Sequence, residues 1–235
     1  MSVLPGGDIL LDFRVDNLWV LQIGGVEIWI TRTIFNTWII MLVLIVLALF
    51  LRFKLRRFEE IPRGLQNAME AVVEIFDGFL RNSGGEKLMP LGKWFFAVFA
   101  FIFVSNISGV VGLRPPTADW ATTFALALAT FILIQVMGIK YRKTGYVKSF
   151  FEPLFIFFPL NLIGELARPV SLSFRLFGNI LAGTILMALV YQLAPIIFQF
   201  GIPAVLHAYF DLFMGALQTY IFCVLSIMFI KGATE

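Results

Sequence analysis

Apolar residues fall into five long runs separated by short polar segments. The runs cover residues 33–53, 94–112, 122–139, 159–192 and 204–230. A helix of roughly 20 residues crosses a hydrocarbon core of about 30 Å, so each run can span a membrane. The pattern predicts an all-α integral membrane protein with five membrane-embedded helices, the second and third forming a hairpin over residues 94–139. With 60% hydrophobic and only 14% charged residues, the composition excludes a soluble domain.

Two segments outside these runs have a different pattern. Residues 61–82 carry apolar positions on one face and charged positions on the other, with Pro62 at the start and Gly84 and Gly85 after the end. We expect an amphipathic helix lying on the cytoplasmic membrane surface. Charged residues interrupt residues 1–32, which we interpret as an external or interfacial lead-in. We expect these two segments and the five apolar runs to form a single membrane domain over residues 1–235.

The basic residues predict the orientation of the chain. Of the eighteen Lys and Arg residues, three fall in segments assigned outside and two within the fourth apolar run, which leaves thirteen at the ends assigned to the cytoplasm. This bias predicts a plasma-membrane or inner-membrane protein with its N-terminus outside and its C-terminus in the cytoplasm. It also accounts for a pI near 9.1 without a nucleic-acid partner.

The last two apolar runs are unusually long. Residues 159–192 would extend about 50 Å as a helix, well beyond the hydrocarbon thickness. Such a helix must tilt, kink or break, and Pro169 favours a bend. Pro195, Gly201 and Pro203 mark an outer turn before the final run. The pattern over residues 159–230 therefore predicts two long, tilted, antiparallel helices.

A stripe of polar residues follows the first of these long helices. At 100° per residue its members fall within about 40° of one line. They are Asn161, Glu165, Arg168, Arg175 and Asn179. A guanidinium at membrane depth is energetically costly and indicates a functional site. A structural interpretation also exists for one pair, because Glu165 and Arg168 are three residues apart and can form an ion pair.

Three polar residues share a face of the final helix. His207, Asp211 and Gln218 are separated by four and seven residues. A carboxylate and an imidazole at this depth indicate proton transfer. The competing interpretation of His207 is an interfacial or hydrogen-bonded residue near the outer turn, and Gln218 could hydrogen-bond Arg175 across the two helices.

The polar stripe lies in a recognisable motif. Residues 161–183 read NLIGELARPVSLSFRLFGNILAG and resemble the signature of subunit a of the rotary F-type ATP synthases. The resemblance extends to Ser105 and Asn106, to residues 116–119, and to Leu217 and Gln218. It covers most of the chain from the first span to the C-terminus.

The resemblance implies a stator subunit in the ion path. Arg175 would face the carboxylates of a rotating c-subunit ring, with Gln218 close to it. Two half-channels separated by Arg175 would lead to opposite sides of the membrane. The proposed pathway residues are Asn161, Glu165, Arg168, Arg175, Asn179, Thr184, His207, Asp211, Gln218 and Asp119. The expected partners are the c ring, the peripheral-stalk b subunits, the rest of the synthase and membrane lipid.

The sequence departs from the family pattern at two positions. Many members carry an acidic residue or histidine nine positions after the arginine, where this chain has Thr184. The position seven before the glutamine is often histidine but here is Asp211. The acid has moved to the facing helix, and this leaves both protons and sodium ions open as the transported ion.

Other functional classes fit the sequence less well. The chain has no GxxxxGK[ST] phosphate-binding loop, so nucleotide chemistry belongs to a partner and the chain alone is not an enzyme. No cofactor is expected, and the single Cys223 gives no metal motif. A self-contained secondary transporter is the alternative, although no internal repeat supports it. A structural scaffold leaves Arg175 unexplained, and an intramembrane hydrolase lacks its motifs.

Overall fold

The computed structural model describes residues 17–23, 26–55, 63–152, 154–193 and 201–235. Strands β1 (Asn17–Ile23) and β2 (Val26–Thr31) precede helices α1 (Arg32–Lys54), α2 (Leu65–Gly84), α3 (Gly92–Ile107), α4 (Trp120–Arg142), α5 (Thr144–Ser149) and α6 (Phe158–Leu193). The chain ends with α7 (Ile202–His207), a π-helical segment (Ala208–Met214) and α8 (Gly215–Thr234). Five helical stretches are long and apolar enough to span a membrane, which agrees with the predicted architecture. The first sixteen residues of the lead-in, Pro62 and Pro195 lie outside the described residues.

The lead-in contains a β-hairpin that the sequence analysis did not predict. The strands pair antiparallel, with Ile23 opposite Val26 and Trp19 opposite Ile30. Both runs are rich in β-branched and aromatic residues and flank a Gly-Gly pair in the sequence, which is a hairpin pattern. The charged residues before Asn17 obscured this pattern. The hairpin leads directly into α1, whose first turn is capped by Thr31 Oγ1 accepting from Ile34 N.

The bundle has two ends of different composition. We call the end at which α1, α4 and α8 finish the basic end, because Lys54, Arg142 and Lys231 lie in their last turns. We call the opposite end, which holds residues 112–119, the turn end. There, Asn36 Nδ2 donates to Arg114 O at 2.9 Å and joins the start of α1 to the turn.

Helices α3, α4, α6 and α8 form the centre of the bundle. One group of buried side chains includes Phe95, Ile134 and Ile227, and a second includes Ile102, Leu176 and Phe222. These clusters join helices that are distant in sequence. Helix α1 packs near its start, where Thr33, Asn36 and Ile40 are buried, while much of its remaining apolar surface is exposed.

Helix α2 agrees with the predicted amphipathic helix. It buries Phe76 and Leu80, while Ile75 is 73% exposed. Gly64 and Gly85 flank it with φ of 56° and 78°, left-handed values that favour glycine. A Cβ added at Gly84 would lie 2.9 Å from Ile227 Cγ2, so this end of α2 packs closely on α8.

Helix α6 runs without interruption through Pro169. Its 36 residues correspond to about 54 Å. It is antiparallel to the final helix, as contacts near each end demonstrate. Phe210 packs against Gly183, where an added Cβ would lie 3.1 Å from the Phe210 Cβ. At the basic end, Arg168 Cζ lies 5.2 Å from the centroid of the Phe229 ring.

The final helix contains a π-helical segment in place of the uniform α-helix expected from the sequence. Residues 208–214 are π-helical between the α-helical turns of α7 and α8. Such segments add a residue to the local turn and are frequent at functional sites. Asp211 lies at the centre of this one.

Candidate functional site

The polar stripe on α6 lies at the border between its buried and exposed faces. Leu172, Ser173 and Leu176 are buried against the bundle. Asn161, Glu165, Arg168 and Asn179 are partly exposed, whereas Arg175 is exposed. Within the described part of the chain, Arg175 has no hydrogen bond or ion pair. Its guanidinium therefore lies on the surface with no counter-ion among these described residues.

Small residues flank Arg175 on the same surface. Gly164, Ser171, Gly178 and Ala182 each lie within about 60° of Arg175 around the helix. All four are at least partly exposed. A Cβ added at Gly164 or Gly178 would meet nothing within 4 Å. This surface leaves room for a second helix to approach the α6 backbone closely.

Three predicted residues line a cavity of about 300 Å³ at the basic end. Asn161, Glu165 and Arg168 form part of its wall, together with Tyr146 and Ser149. Arg168 Nη1 lies 2.6 Å from Glu165 Oε1, as the ion-pair interpretation required. Glu165 Oε2 is buried, and none of the residues that the structure describes forms a hydrogen bond with it. A second acceptor thus remains in the polar cavity for water or a transferred proton.

Two elements hold the wall of this cavity in place. Asn161 Nδ2 donates to Phe150 O at 2.9 Å and to Glu152 O at 3.1 Å, fixing the connection between α5 and α6. Tyr146 Oη donates to Gln135 Oε1 on α4 at 3.0 Å. Burial raises the pKa of the Tyr146 phenol, and the neighbouring Glu165 carboxylate raises it further. Tyr146 therefore remains a neutral wall of the cavity near neutral pH.

A carboxylate and an imidazole meet near the turn end. His207 Nδ1 lies 2.6 Å from Asp211 Oδ2. Asp211 is less exposed than His207, at 19% against 38% of the side chain. The Asp211 carboxylate also packs on the chain that follows α3, because a Cβ added at Gly109 would lie 3.0 Å from both Cγ and Oδ2. The hydrogen-bonded interpretation of His207 and a role in proton transfer are compatible, because the same contact serves both.

Thr184 lies close to the depth of Asp211. Gly183, which precedes Thr184, packs against Phe210, which precedes Asp211. Thr184 Oγ1 donates to Ile180 O at 2.9 Å, within its own helix. The hydroxyl is therefore occupied by a backbone carbonyl and does not contact Asp211.

Gln218 reaches the depth of Arg175 without bonding to it. Gln218 lies between the contact of Phe210 with Gly183 and the contact of Phe229 with Arg168. This position puts it opposite Phe177, two residues from Arg175. Gln218 Nε2 and Asn179 Nδ2 are nevertheless both buried with no hydrogen-bond partner in the described part of the chain. The hydrogen bond considered between Gln218 and Arg175 is absent from this chain. Each orphan donor costs about 1–3 kcal/mol unless water or another molecule accepts from it.

The sequence assigned Asp119 to the pathway, and the structure gives it a local contact. Its Oδ1 accepts from Ala121 N at 3.0 Å and caps the start of α4. The neighbouring Thr117 is fully buried, and its Oγ1 donates to Asn106 Oδ1 at 2.8 Å.

Sequence reasoning missed Asn106 as a site residue. Its Nδ2 donates to Gly215 O at 3.0 Å and lies 3.3 Å from Thr219 Oγ1. Asn106 is fully buried and connects α3, the turn and the end of the π-helical segment. The resemblance to the family at Ser105 and Asn106 was the signal in the sequence that could have identified Asn106. The sequence does not reveal which distant residues a single asparagine contacts.

The fold and these charged groups define a multi-pass helical membrane protein of the ion-transporting class. Residues 34–231 match the family described as ATP synthase A chain. Subunit a of ATP synthase from Moorella thermoacetica is 37% identical over 218 residues, which are 91% of this chain and 94% of that protein. The sodium-ion-specific subunit a of Propionigenium modestum is 35% identical over 227 residues, covering 87% and 74% of the two chains. The chain belongs to this family of F-type ATP synthase a subunits. It is therefore a component of the membrane sector that functions with the rest of the synthase.

Proposed function

We propose that this chain carries protons between two half-channels and the carboxylates of a rotor ring, with Arg175 separating the two paths. The observation that carries the proposal is the position of Arg175. It is exposed on α6. The polar cavity that contains Glu165 lies toward the basic end, and the pair of His207 and Asp211 lies toward the turn end. A permanent cation at membrane depth with no partner among the described residues favours an anion supplied by a neighbouring subunit.

The surface around Arg175 supports a helix of the c ring as that partner. Gly164, Ser171, Gly178 and Ala182 permit close approach. A carboxylate on the approaching helix could then contact the planar guanidinium through two donors. Peripheral-stalk b subunits occupy another surface of the chain, and the ATP-synthesising sites belong to other subunits.

The inner half-channel begins at the cavity lined by Glu165 and Asn161. The positive-inside rule assigns the basic end to the cytoplasm, with the N-terminus outside. The unpartnered Glu165 Oε2 can bind a water molecule or accept a proton. The Arg168 guanidinium contacts the other carboxylate oxygen, Oε1, and supplies a positive charge beside Glu165 within the membrane.

The outer half-channel passes the His207 and Asp211 pair. Asp211 replaces the acid that is missing at Thr184, and the two lie at similar depth. An imidazole and a carboxylate 2.6 Å apart can exchange a proton directly. Exchange between an imidazole and a carboxylate transfers a proton and offers a sodium ion no comparable route, so this pair favours protons as the transported ion.

The mechanism follows from charge. A rotor carboxylate that receives a proton from one path becomes neutral and can enter lipid. When it returns, Arg175 stabilises the ionised form and the proton leaves by the other path. Arginine remains charged where lysine would lose its proton. Each charge that crosses 100 mV contributes about 2.3 kcal/mol, so several crossings are needed for each ATP.

Replacement of Arg175 tests the proposal. We expect Arg175→Ala and Arg175→Lys to abolish proton-driven ATP synthesis in membrane vesicles while the complex assembles and its soluble ATPase remains active. Phe174→Leu is a matched control on the exposed face of α6 and should retain synthesis. Substantial synthesis by Arg175→Ala would refute the role. Transport by the purified chain without a rotor ring would instead support a secondary transporter.

A further inference from the structure

We infer that Asn106 of α3 and Gly109, just after α3, are positioning residues for Asp211 that hold in place the π-helical segment carrying the outer carboxylate. The inference rests on the proposed outer half-channel. Asn106 ends the segment at a defined residue, and Gly109 provides the space that the carboxylate occupies. Both lie outside the polar stripe and outside the His207 and Asp211 pair.

The contact of Asn106 is located where the winding of the helix changes. The π-helical segment ends at Met214 and α8 begins at Gly215. The Gly215 carbonyl accepts from Asn106 Nδ2 at 3.0 Å and from Thr219 Oγ1 at 2.8 Å. A Cβ at Gly215 would lie 2.9 Å from Asn106 Cβ, so only glycine allows this approach. The junction is thereby held at one position along α3.

Asn106 is itself immobilised by a third contact. Thr117 Oγ1 donates to Asn106 Oδ1 at 2.8 Å. The Gly215 carbonyl can only accept, so it requires Nδ2 on its side of the Asn106 amide and leaves Oδ1 to accept from Thr117. Asn106, Thr117 and Thr219 are all fully buried. Loss of one partner would leave a buried polar group unpaired, so the network favours a single arrangement.

Gly109 acts one helical turn further along the chain. The carboxylate of Asp211 fills the space where a side chain at residue 109 would begin, with Cγ and Oδ2 both 3.0 Å from the added Cβ. A methyl group there would displace Asp211 from His207 or shift the segment. The preceding residue of the segment, Phe210, packs on Gly183 of α6. The segment that carries the carboxylate is therefore held between Gly109 and α6.

Transport measurements on assembled complexes test the inference. Asn106→Ala and Gly109→Ala should each reduce proton transport at least about tenfold, since a displacement of about 1 Å at a reacting group can cost roughly a hundredfold. Thr117→Val should give a smaller loss in the same direction. The matched controls are Thr130→Val, at a buried threonine bonded to Leu126 O, and Gly232→Ala, where an added Cβ meets nothing within 4 Å. Both controls should transport like the wild type.

Double variants separate positioning from general stability. In an Asp211→Asn background, Asn106→Ala and Gly109→Ala should cause no further loss, because the group they position is already absent. A second readout uses an Asp211→Cys thiol in a Cys223→Ser chain. Its labelling rate by a water-soluble thiol reagent should change at least about fivefold with Asn106→Ala or Gly109→Ala, an amount that corresponds to a population shift of roughly 1 kcal/mol.

Two results would overturn the inference. One is wild-type labelling at position 211 in both variant backgrounds, and the other is wild-type transport in Asn106→Ala and Gly109→Ala. If Asp211→Asn alone transports like the wild type, the proposed outer half-channel fails instead. A loss in Asp211→Asn together with normal transport in the two positioning variants leaves the half-channel intact and refutes only the inference.

Discussion

Deletion of Leu212 should misdirect Asp211 while leaving the final helix intact. Leu212 lies between Asp211 and the junction at Gly215 and is 50% exposed. Removing one residue takes the extra residue out of the π-helical turn and permits ordinary α-helical hydrogen bonds. Four π-helical residues at about 82° each turn roughly 330°, whereas three α-helical residues turn about 300°, so Asp211 rotates by about 30° relative to Gly215. At a Cα radius of about 2.3 Å, its Cα moves about 1 Å, and the carboxylate, which lies farther from the axis, moves more.

A displacement of about 1 Å at a reacting group can cost roughly a hundredfold, so the deletion should nearly eliminate transport. The assay is ATP-driven proton pumping in inverted vesicles, normalised to the assembled complex. Leu212→Ala keeps the length of the segment and should remain within about twofold of the wild type, as is usual for exposed substitutions. Pumping by the deletion variant at more than about a tenth of the wild-type rate would refute the argument that the π-helical winding directs Asp211.

Glu165→Gln should slow transport without creating a proton leak. If transport per assembled complex is unchanged and only thermal stability falls, Glu165 serves only to pair with Arg168. Asp211→Asn should lower transport by about 10²–10⁴-fold, the usual contribution of a general acid or base, and adding Thr184→Glu should restore part of it; a double variant no better than Asp211→Asn argues against a shared cavity. Tyr146→Phe should remove a loss of stability at high pH, because the folded chain retains the phenol proton that the unfolded chain releases above about pH 10. Thermal melts from pH 8 to 11 measure this difference, and parallel curves for the two proteins would contradict it.

The sequence predicted the spans well because hydropathy and membrane thickness determine them. The predicted run of residues 122–139 and helix α4 differ by only a few residues at each end. The motif around Arg175 located the charged stripe, and i to i+3 spacing anticipated the Glu165 and Arg168 pair. These features depend on local composition or on short sequence separations.

Features that depend on backbone detail were not predictable in the same way. A π-helical turn has nearly the same apolar pattern as an α-helical turn, so nothing in residues 208–214 revealed it. The bond from Asn106 to Gly215 joins residues 109 positions apart. The hairpin was missed because charged residues precede it. Gln218 was assigned by family position to Arg175, yet depth alone did not produce a hydrogen bond.

The ion pair between Glu165 and Arg168 determines the electrical profile of α6. The helix has three acidic or basic side chains, Glu165, Arg168 and Arg175, and the first two balance each other at 2.6 Å. Arg175, seven residues from Arg168 and about 10 Å along the axis, then carries the net charge. A carboxylate 4 Å from Arg175 gains about 4 kcal/mol at an effective dielectric constant of about 20, but only about 1 kcal/mol at 14 Å. A rotor moving past α6 would meet one electrostatic minimum in each step, whereas an unpaired Arg168 would create a second resting position.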